Sequence, residues 1–333
     1  MNHLLKEMKY YKTVDGNLRR VFFKFLFSRT PLKLLVNTSL YKKIYTNMML
    51  KKAKQLNPYI LSLENTNICN ADCIMCPHSK MKRKQETMKE EDFKTIVNKV
   101  LTNENIEYVM FTGLGETLCD INFEKKVEYL NNNFKTKVIM FSNAGLLTKE
   151  RSDNLLKLNI FKINFSVNGP ANDYNKNMGL NYNNSLNNIN YFLKRKNELG
   201  LKFPLVNISI MKLDKDIKKY KKFKKEWTDK VDSAIIFMPS DWTNDIKLCN
   251  AKSKRWPCHN LWKEIAVDAA GNVIKCHGDY ESVHKLGNLI TEDYSTIKKA
   301  REEIKIKQLT GDFSICKNCE SSFYPSLDWW ENR

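Results

Sequence analysis

Three observations in this 333-residue sequence predict an α/β fold with a small second module. Short β-branched or aromatic runs alternate with helix-length segments from residue 58 to 238. That alternation implies a parallel sheet, either open or curled as an incomplete barrel. After about residue 245 it stops and a cysteine-bearing stretch takes over. The apolar fraction, 42%, is ample for one large core with a smaller companion. The expected organisation is a basic helical extension (1–56), an alternating domain (57–244) and a metal-stabilised module (245–333).

Each element has its own signal. In the extension, Leu18, Val21, Phe22 and Phe25 fall at helical spacing, with Arg20 and Lys24 on another face. Such a helix packs on the main domain, or it meets an anionic membrane surface or a partner. Six strands are expected at 59–65, 107–113, 137–143, 160–167, 204–211 and 233–239. Helices are expected at 89–100, 122–133, 147–157, 184–198 and 214–226. Working residues in such folds sit at the carboxyl ends of the strands. Beyond 245, "EIAVDAAGNVIKC" (264–276) reads as a hairpin turning at Gly271-Asn272. A helix near 293–309 follows.

Charge narrows the partners. The net charge is +19, but thirteen Lys/Arg against two Asp/Glu fall in the first 56 residues alone. The rest carries 43 basic against 35 acidic residues, and only nine of the 56 basic residues are arginine. Sequence-specific nucleic-acid readers lean on bidentate arginine, so this lysine richness reads as compositional bias. No run approaches the roughly 20 apolar residues of a membrane span; "VFFKFLF" (21–27) is short and interrupted by Lys24. The N-terminus shows no secretory signal pattern, so a cytoplasmic protein is expected.

Nine cysteines in a reducing compartment point to metal or redox chemistry rather than disulfides. Cys69, Cys73 and Cys76 lie just past the first expected strand, hence at the working end of the sheet. Structural zinc sites are closed by four protein ligands, and iron–sulfur clusters also usually take four. Three thiolates with no fourth nearby leave a coordination position open to a substrate or cofactor. His78 follows Pro77, where the chain is already turning away. Four further cysteines, Cys258, Cys276, Cys316 and Cys319, form a second set that suits zinc or a cluster equally well in isolation.

The Cys69-x3-Cys73-x2-Cys76 loop after a first strand resembles the cluster loop of the radical S-adenosylmethionine (SAM) superfamily. The resemblance covers residues 58 to about 325 and implies a partial (βα)6 TIM-like barrel. It implies that the three thiolates hold a [4Fe–4S] cluster whose fourth iron is chelated by SAM, which is cleaved to a 5′-deoxyadenosyl radical. Gly113-Leu114-Gly115-Glu116 resembles the family's glycine-rich segment at the cofactor's methionine end. Ser142, Asn143, Ser166 and Asn168 stand where relatives make polar contacts to the ribose, and "VNISIM" (206–211) resembles the strand passing the adenine. Met75 departs from the aromatic that many relatives carry near the adenine. The C-terminal cysteines and "HKLGNL" (284–289) resemble the SPASM module in its shorter twitch form. That implies one auxiliary [4Fe–4S] cluster on Cys258, Cys276, Cys316 and Cys319.

Similarity to the twitch aminocyclitol dehydrogenases implies oxidation of a secondary alcohol of a sugar or cyclitol. The auxiliary cluster would accept the electron, and a flavodoxin- or ferredoxin-type donor would supply the first one. Arg255, His259, Asp279 and Tyr280 are candidate bases. Epimerisation, with Cys249 or Cys119 returning hydrogen, and maturation of a ribosomal peptide are the competing expectations.

Overall fold

The computed structural model describes residues 57–237 and 260–316, with Asn47, Pro239, Trp242 and Cys258 as isolated positions. The helices expected in residues 1–56, and the positions Cys249, Arg255, His259 and Cys319, lie outside the described residues. Six parallel strands pair in chain order: β1 (Ile60–Leu63), β2 (Tyr108–Phe111), β3 (Lys137–Ser142), β4 (Ile160–Ser166), β5 (Leu205–Met211) and β6 (Ser233–Phe237). Helices α1 (Glu90–Leu101), α2 (Phe123–Asn133), α3 (Lys149–Lys157), α4 (Ala171–Met178), α5 (Tyr182–Glu198) and α6 (Ile217–Thr228) intervene. The expected partial barrel is present.

The two-residue period of the strands separates two interiors. Leu61 and Leu63 of β1 join Phe93 and Val97 of α1 and Phe111 of β2 in the helix-facing core. Ser62 and Glu64 alternate with them and face the other way, where Lys162, Asn164, Asn207 and Ser233 are also buried. The helix-free interior is therefore strongly polar toward the site. Its apolar part gathers buried Ile60, Tyr108 and Ile139 and, half-buried against them, Tyr59, Met110, Phe141 and Phe161.

Helix α4 was not expected. Its sequence, "ANDYNKNM", is polar, and only Tyr174, Asn177 and Met178 are buried. It ends where Gly179 takes a left-handed φ of 64°.

In the C-terminal module, β7 (Glu264–Val267) pairs parallel to the free edge of β1, Ile60 opposite Glu264 and Leu63 opposite Val267. β8 (Asn272–Ile274) and β9 (Lys285–Asn288) continue the sheet antiparallel, and α7 (Tyr294–Leu309) covers it. Ile265, Val267, Val273, Leu289 and Ile297 belong to the same core as the barrel strands. The β7–β8 connection is a four-residue turn, Asp268 to Gly271, and not the expected Gly271-Asn272 turn. Gly271 N donates to Asp268 O, and the Asp268 carboxylate takes the Ala270 and Asn272 amides. An aspartate that captures amides beyond itself makes the wider turn. Gly271, at φ 83°, leaves no room for a β-carbon beside Ile290.

Candidate functional site

The loop leaving β1 carries Cys69, Cys73 and Cys76, and its neighbours pin it on several sides. Asn65 Nδ2 donates to Thr117 O and to Asp120 Oδ2, both at 3.1 Å. Asn67 Nδ2 donates to Lys84 O, and its Oδ1 accepts the Glu86 amide at 2.6 Å. The last turn of α4 supplies the remaining hold. Asp72 N donates to Met178 O and Ile74 N to Asn177 O. The carbonyls that a helix leaves unpaired at its C-terminus are thus satisfied by amides of the cysteine loop.

Burial pushes the Cys73 thiol up to about 12, and the neighbouring Cys76 and Cys69 sulfurs add to the rise. Burial pushes Cys76 up to about 11, with Cys69 contributing. The three sulfurs are half-buried on one eight-residue loop, and coordination to a metal cation deprotonates a thiol outright. This donor set fits a cluster held by three thiolates. The ring of His78 does not complete it, because its Nε2 lies 2.9 Å from Asn67 O. Met75 is buried beside the triad, and Trp242 Nε1 donates to its carbonyl.

The glycine-rich segment packs against this loop. A β-carbon on Gly113 would come within 2.5 Å of Glu64 Cγ, and one on Gly115 would strike Thr66 O. Both glycines are required by close approach to the β1 loop itself. Glu116 is buried and its carboxylate carries three protein donors: Leu118 N at 3.1 Å, Ser142 Oγ at 2.7 Å and Asn143 N at 2.7 Å. Desolvation nevertheless pushes its pKa up. Glu116 therefore ties the second strand end to the third. Asn143 Nδ2 reaches Asn70 Oδ1 at 2.8 Å, joining the third strand end to the cysteine loop. Asn168 spans the fourth and fifth, accepting Met211 N and donating to Met178 Sδ. Ser166 sits half-buried at the end of β4, in register with Ser209. The predicted residues of strands one to four are brought to one face.

The central tie was missed at the sequence level. Glu64 is 2% exposed and receives both terminal nitrogens of Arg83 at 2.7 Å. It also accepts Leu114 N at 2.9 Å and Ala269 N at 3.2 Å. Arg83 Nε donates to Tyr280 O, and Glu281 accepts the Lys82 and Arg83 amides. One carboxylate and one guanidinium thus join the cysteine loop, the glycine-rich segment and the C-terminal module. In that module, buried Gln308 accepts Cys258 N through Oε1 at 3.0 Å and donates to Cys316 Sγ at 3.2 Å. Cys276 begins the turn whose Asp279 amide donates back to its carbonyl.

The Radical SAM superfamily profile matches residues 63–202, and that of the SPASM iron-sulfur cluster-binding domain matches residues 258–320. The chain carries a radical SAM domain followed by a SPASM domain. Its sequence aligns at 30% identity over 106 residues with the UPF0026 protein MJ1312 of Methanocaldococcus jannaschii. The match covers 30% of this chain and 32% of that protein's length. Among solved structures, BtrN in complex with AdoMet and 2-DOIA matches with a TM-score of 0.56 at 17% identity, over 83% of this chain and 97% of BtrN. Streptococcus suis SuiB bound to the precursor peptide SuiA matches with a TM-score of 0.64 at 13% identity, over 90% and 82%. The protein anSMEcpe with bound AdoMet gives 0.58 at 17%, over 83% and 92%. At these identities the likeness is one of fold.

Two candidates of this radical SAM protein acquire surroundings. The Asp279 carboxylate is taken up by the Val283 and His284 amides and lies 3.2 Å from His284 Nδ1, which closes the loop after Cys276. Cys119 closes the turn that begins at Glu116, whose amide donates to Ile68 O next to Cys69. Burial pushes its thiol up to about 11, and Glu116 and Cys69 add to the rise. Among the described residues no helix is long and apolar enough to cross a membrane.

Proposed function

We propose that this radical SAM protein oxidises a secondary alcohol of a sugar or cyclitol. When bound, the cluster and SAM would supply a 5′-deoxyadenosyl radical for the carbon-bound hydrogen, and one auxiliary cluster would supply an acceptor for the electron left behind as the hydroxyl proton passes to a base. Cys69, Cys73 and Cys76 would hold the first cluster, with SAM at the open position. Gly113, Gly115 and Glu116 shape the wall beside it, and Ser142, Asn143, Ser166 and Asn168 form the polar rim. Cys258, Cys276, Cys316 and Cys319 would hold the second. The observation that carries the reading is Gln308, which bonds Cys258 and Cys316 together from a buried position. A site ligated wholly by protein has no room for substrate and suits electron acceptance. A flavodoxin- or ferredoxin-type protein is the proposed donor.

The test begins with iron and sulfide after anaerobic reconstitution. About eight irons per chain, falling to about four in a Cys69/Cys73/Cys76→Ala variant, are expected for two [4Fe–4S] clusters. A panel of cyclitols and aminocyclitols deuterated at the carbinol carbon should then give ketone and deuterated 5′-deoxyadenosine. Turnover of a peptide instead, with no cyclitol consumed, would overturn the reading.

Epimerisation is the second reading, and the turn Glu116–Cys119, whose first amide donates to Ile68 O next to Cys69, supports it. In deuterium oxide an epimerase would return solvent deuterium at an inverted carbon, and Cys119→Ser would abolish that. A dehydrogenase would form ketone with the same variant.

A further inference from the structure

The end of the barrel opposite the cysteine loop carries a second surface, built where α2, α3, α5 and α6 hand over to the amino ends of β3, β4, β5 and β6. The loop between α5 and β5 presents two bare apolar side chains there. Leu199 and Phe203 are each 49% exposed. Phe203 lies against Phe161 with ring centroids 5.6 Å apart, so it extends the aromatic end of the barrel interior outward. The loop is pinned to its neighbour. Leu201 N donates to Lys196 O, and Asp232 N donates to Val206 O. The Asp232 carboxylate accepts the Val206 amide at 2.8 Å and pairs with Lys196. A lone exposed apolar side chain is ordinary. This pair stands out by the charge around it.

Lys135, Lys157, Lys202 and Lys230 are exposed along the same rim. The carboxylates near them are already matched: Glu107 by Lys137, Asp153 by Arg195, Glu198 by Lys194, Asp232 by Lys196 and Glu104 by Lys298. The four lysines stand outside these pairs; Lys157 bonds the neutral Asn154 side chain and Lys230 stands over the Trp227 ring. Exposed Asp229 opposes them, and Lys225 and Glu226, neighbours on the last turn of α6, offset each other. Four lysines against one aspartate leave a surplus of three positive charges.

The first 56 residues join the barrel at this end, since the chain enters β1 through residue 57. They hold thirteen Lys/Arg against two Asp/Glu, with Leu18, Val21, Phe22 and Phe25 at helical spacing. Like charge disfavours that segment as a cover for the rim. What complements both is an anionic layer with hydrocarbon beneath it. Lysine point charges suit mobile lipid headgroups, and the acyl region receives the two apolar side chains. A nucleic acid would favour arginine and would give Leu199 and Phe203 no apolar partner.

We propose that the amino end of the barrel, through Leu199, Phe203, Lys135, Lys157, Lys202 and Lys230, docks on the surface of an anionic lipid bilayer. The cysteine loop, at the carboxyl ends of the strands, then faces away from the lipid. The surface is independent of the reaction carried out at that loop.

Reconstituted full-length protein is sedimented with phosphatidylcholine vesicles, with and without phosphatidylglycerol, at two salt concentrations. Binding is expected to the anionic vesicles, and weaker at the higher salt. Lys202→Gln/Lys230→Gln should weaken it about tenfold or more. Leu199→Ser and Phe203→Ser should each weaken it about fivefold. Leu199→Ser keeps the test sound where Phe203→Ser disturbs the packing on Phe161, and thermal midpoints identify that case. Lys215→Gln/Lys218→Gln, exposed lysines at the other end of α6, should leave binding unchanged. Absence of binding to the anionic vesicles, or equal weakening by the Lys215/Lys218 pair, would overturn the proposal. So would binding that survives the rim variants and is lost in Phe22→Ser/Phe25→Ser, which places the anchor in the extension alone.

Discussion

Replacing Arg83 by methionine isolates the contribution of the central tie. The pair has two bonds of 2.7 Å, and its side chains are 16% and 2% exposed. Removing the guanidinium leaves Glu64 buried with two neutral donors, Leu114 N and Ala269 N. Breaking a buried ion pair from one side costs about 3–5 kcal/mol, because the remaining charge stays desolvated. Arg83 keeps some contact with solvent, which places the expectation at the lower end, about 3 kcal/mol. Equilibrium urea unfolding under anaerobic conditions reads this as a lowered midpoint at unchanged slope. Because Arg83 also holds Tyr280 O, iron retention by the C-terminal cysteines should fall as well. The double variant Glu64→Gln/Arg83→Met removes the stranded charge and should recover about half of the loss. A loss below about 1 kcal/mol in the single variant, typical of an exposed pair, would refute the reasoning.

Lys162 yields a pH test. Burial pulls its pKa from an ordinary 10.5 to about 6, against a small opposing pull from Asp232. Between those values the unfolded chain holds the proton and the folded chain does not, so stability should climb with pH by about 1.4 kcal/mol per unit from this residue. The cost is fully present below about pH 6 and gone above 10.5. Lys162→Met should flatten that slope in urea melts from pH 6.5 to 9.5; an unchanged slope would contradict it. Gly115→Ala should prevent the glycine-rich segment from seating on Thr66 and lower iron bound after reconstitution, whereas normal loading would show that the loop gives way. Gln308→Ala should lower iron from about eight to about four per chain while SAM binding persists. Loss of SAM binding would place Gln308's influence elsewhere.

The strands were legible because each is a short β-branched or aromatic run between longer polar segments. The cysteine loop was legible because its spacing is local. Helix α4 escaped because it is eight residues long and five of them are Asn, Asp or Lys, which leaves Tyr174 and Met178 as a stripe too short to read; its last carbonyls accept the Asp72 and Ile74 amides. The hairpin turn was misplaced because Gly-Asn is a strong turn pair, while the Asp268 carboxylate that captures two amides three residues earlier decides the geometry. Glu64, Arg83 and Gln308 could not be found from spacing, since their partners lie far along the chain. For Glu64, an acidic residue after a buried strand facing a lone arginine was the available signal.

The pairing of β7 with β1 has a consequence for how the chain is made. β1 leaves the ribosome early, yet one of its edges waits for residue 264 to emerge. Throughout that interval an unpaired hydrophobic strand edge stands next to three uncoordinated thiols, a template for joining other chains. Cutting away the SPASM domain would therefore not leave a smaller, intact barrel. It would reopen that edge, and the expected product is an aggregate.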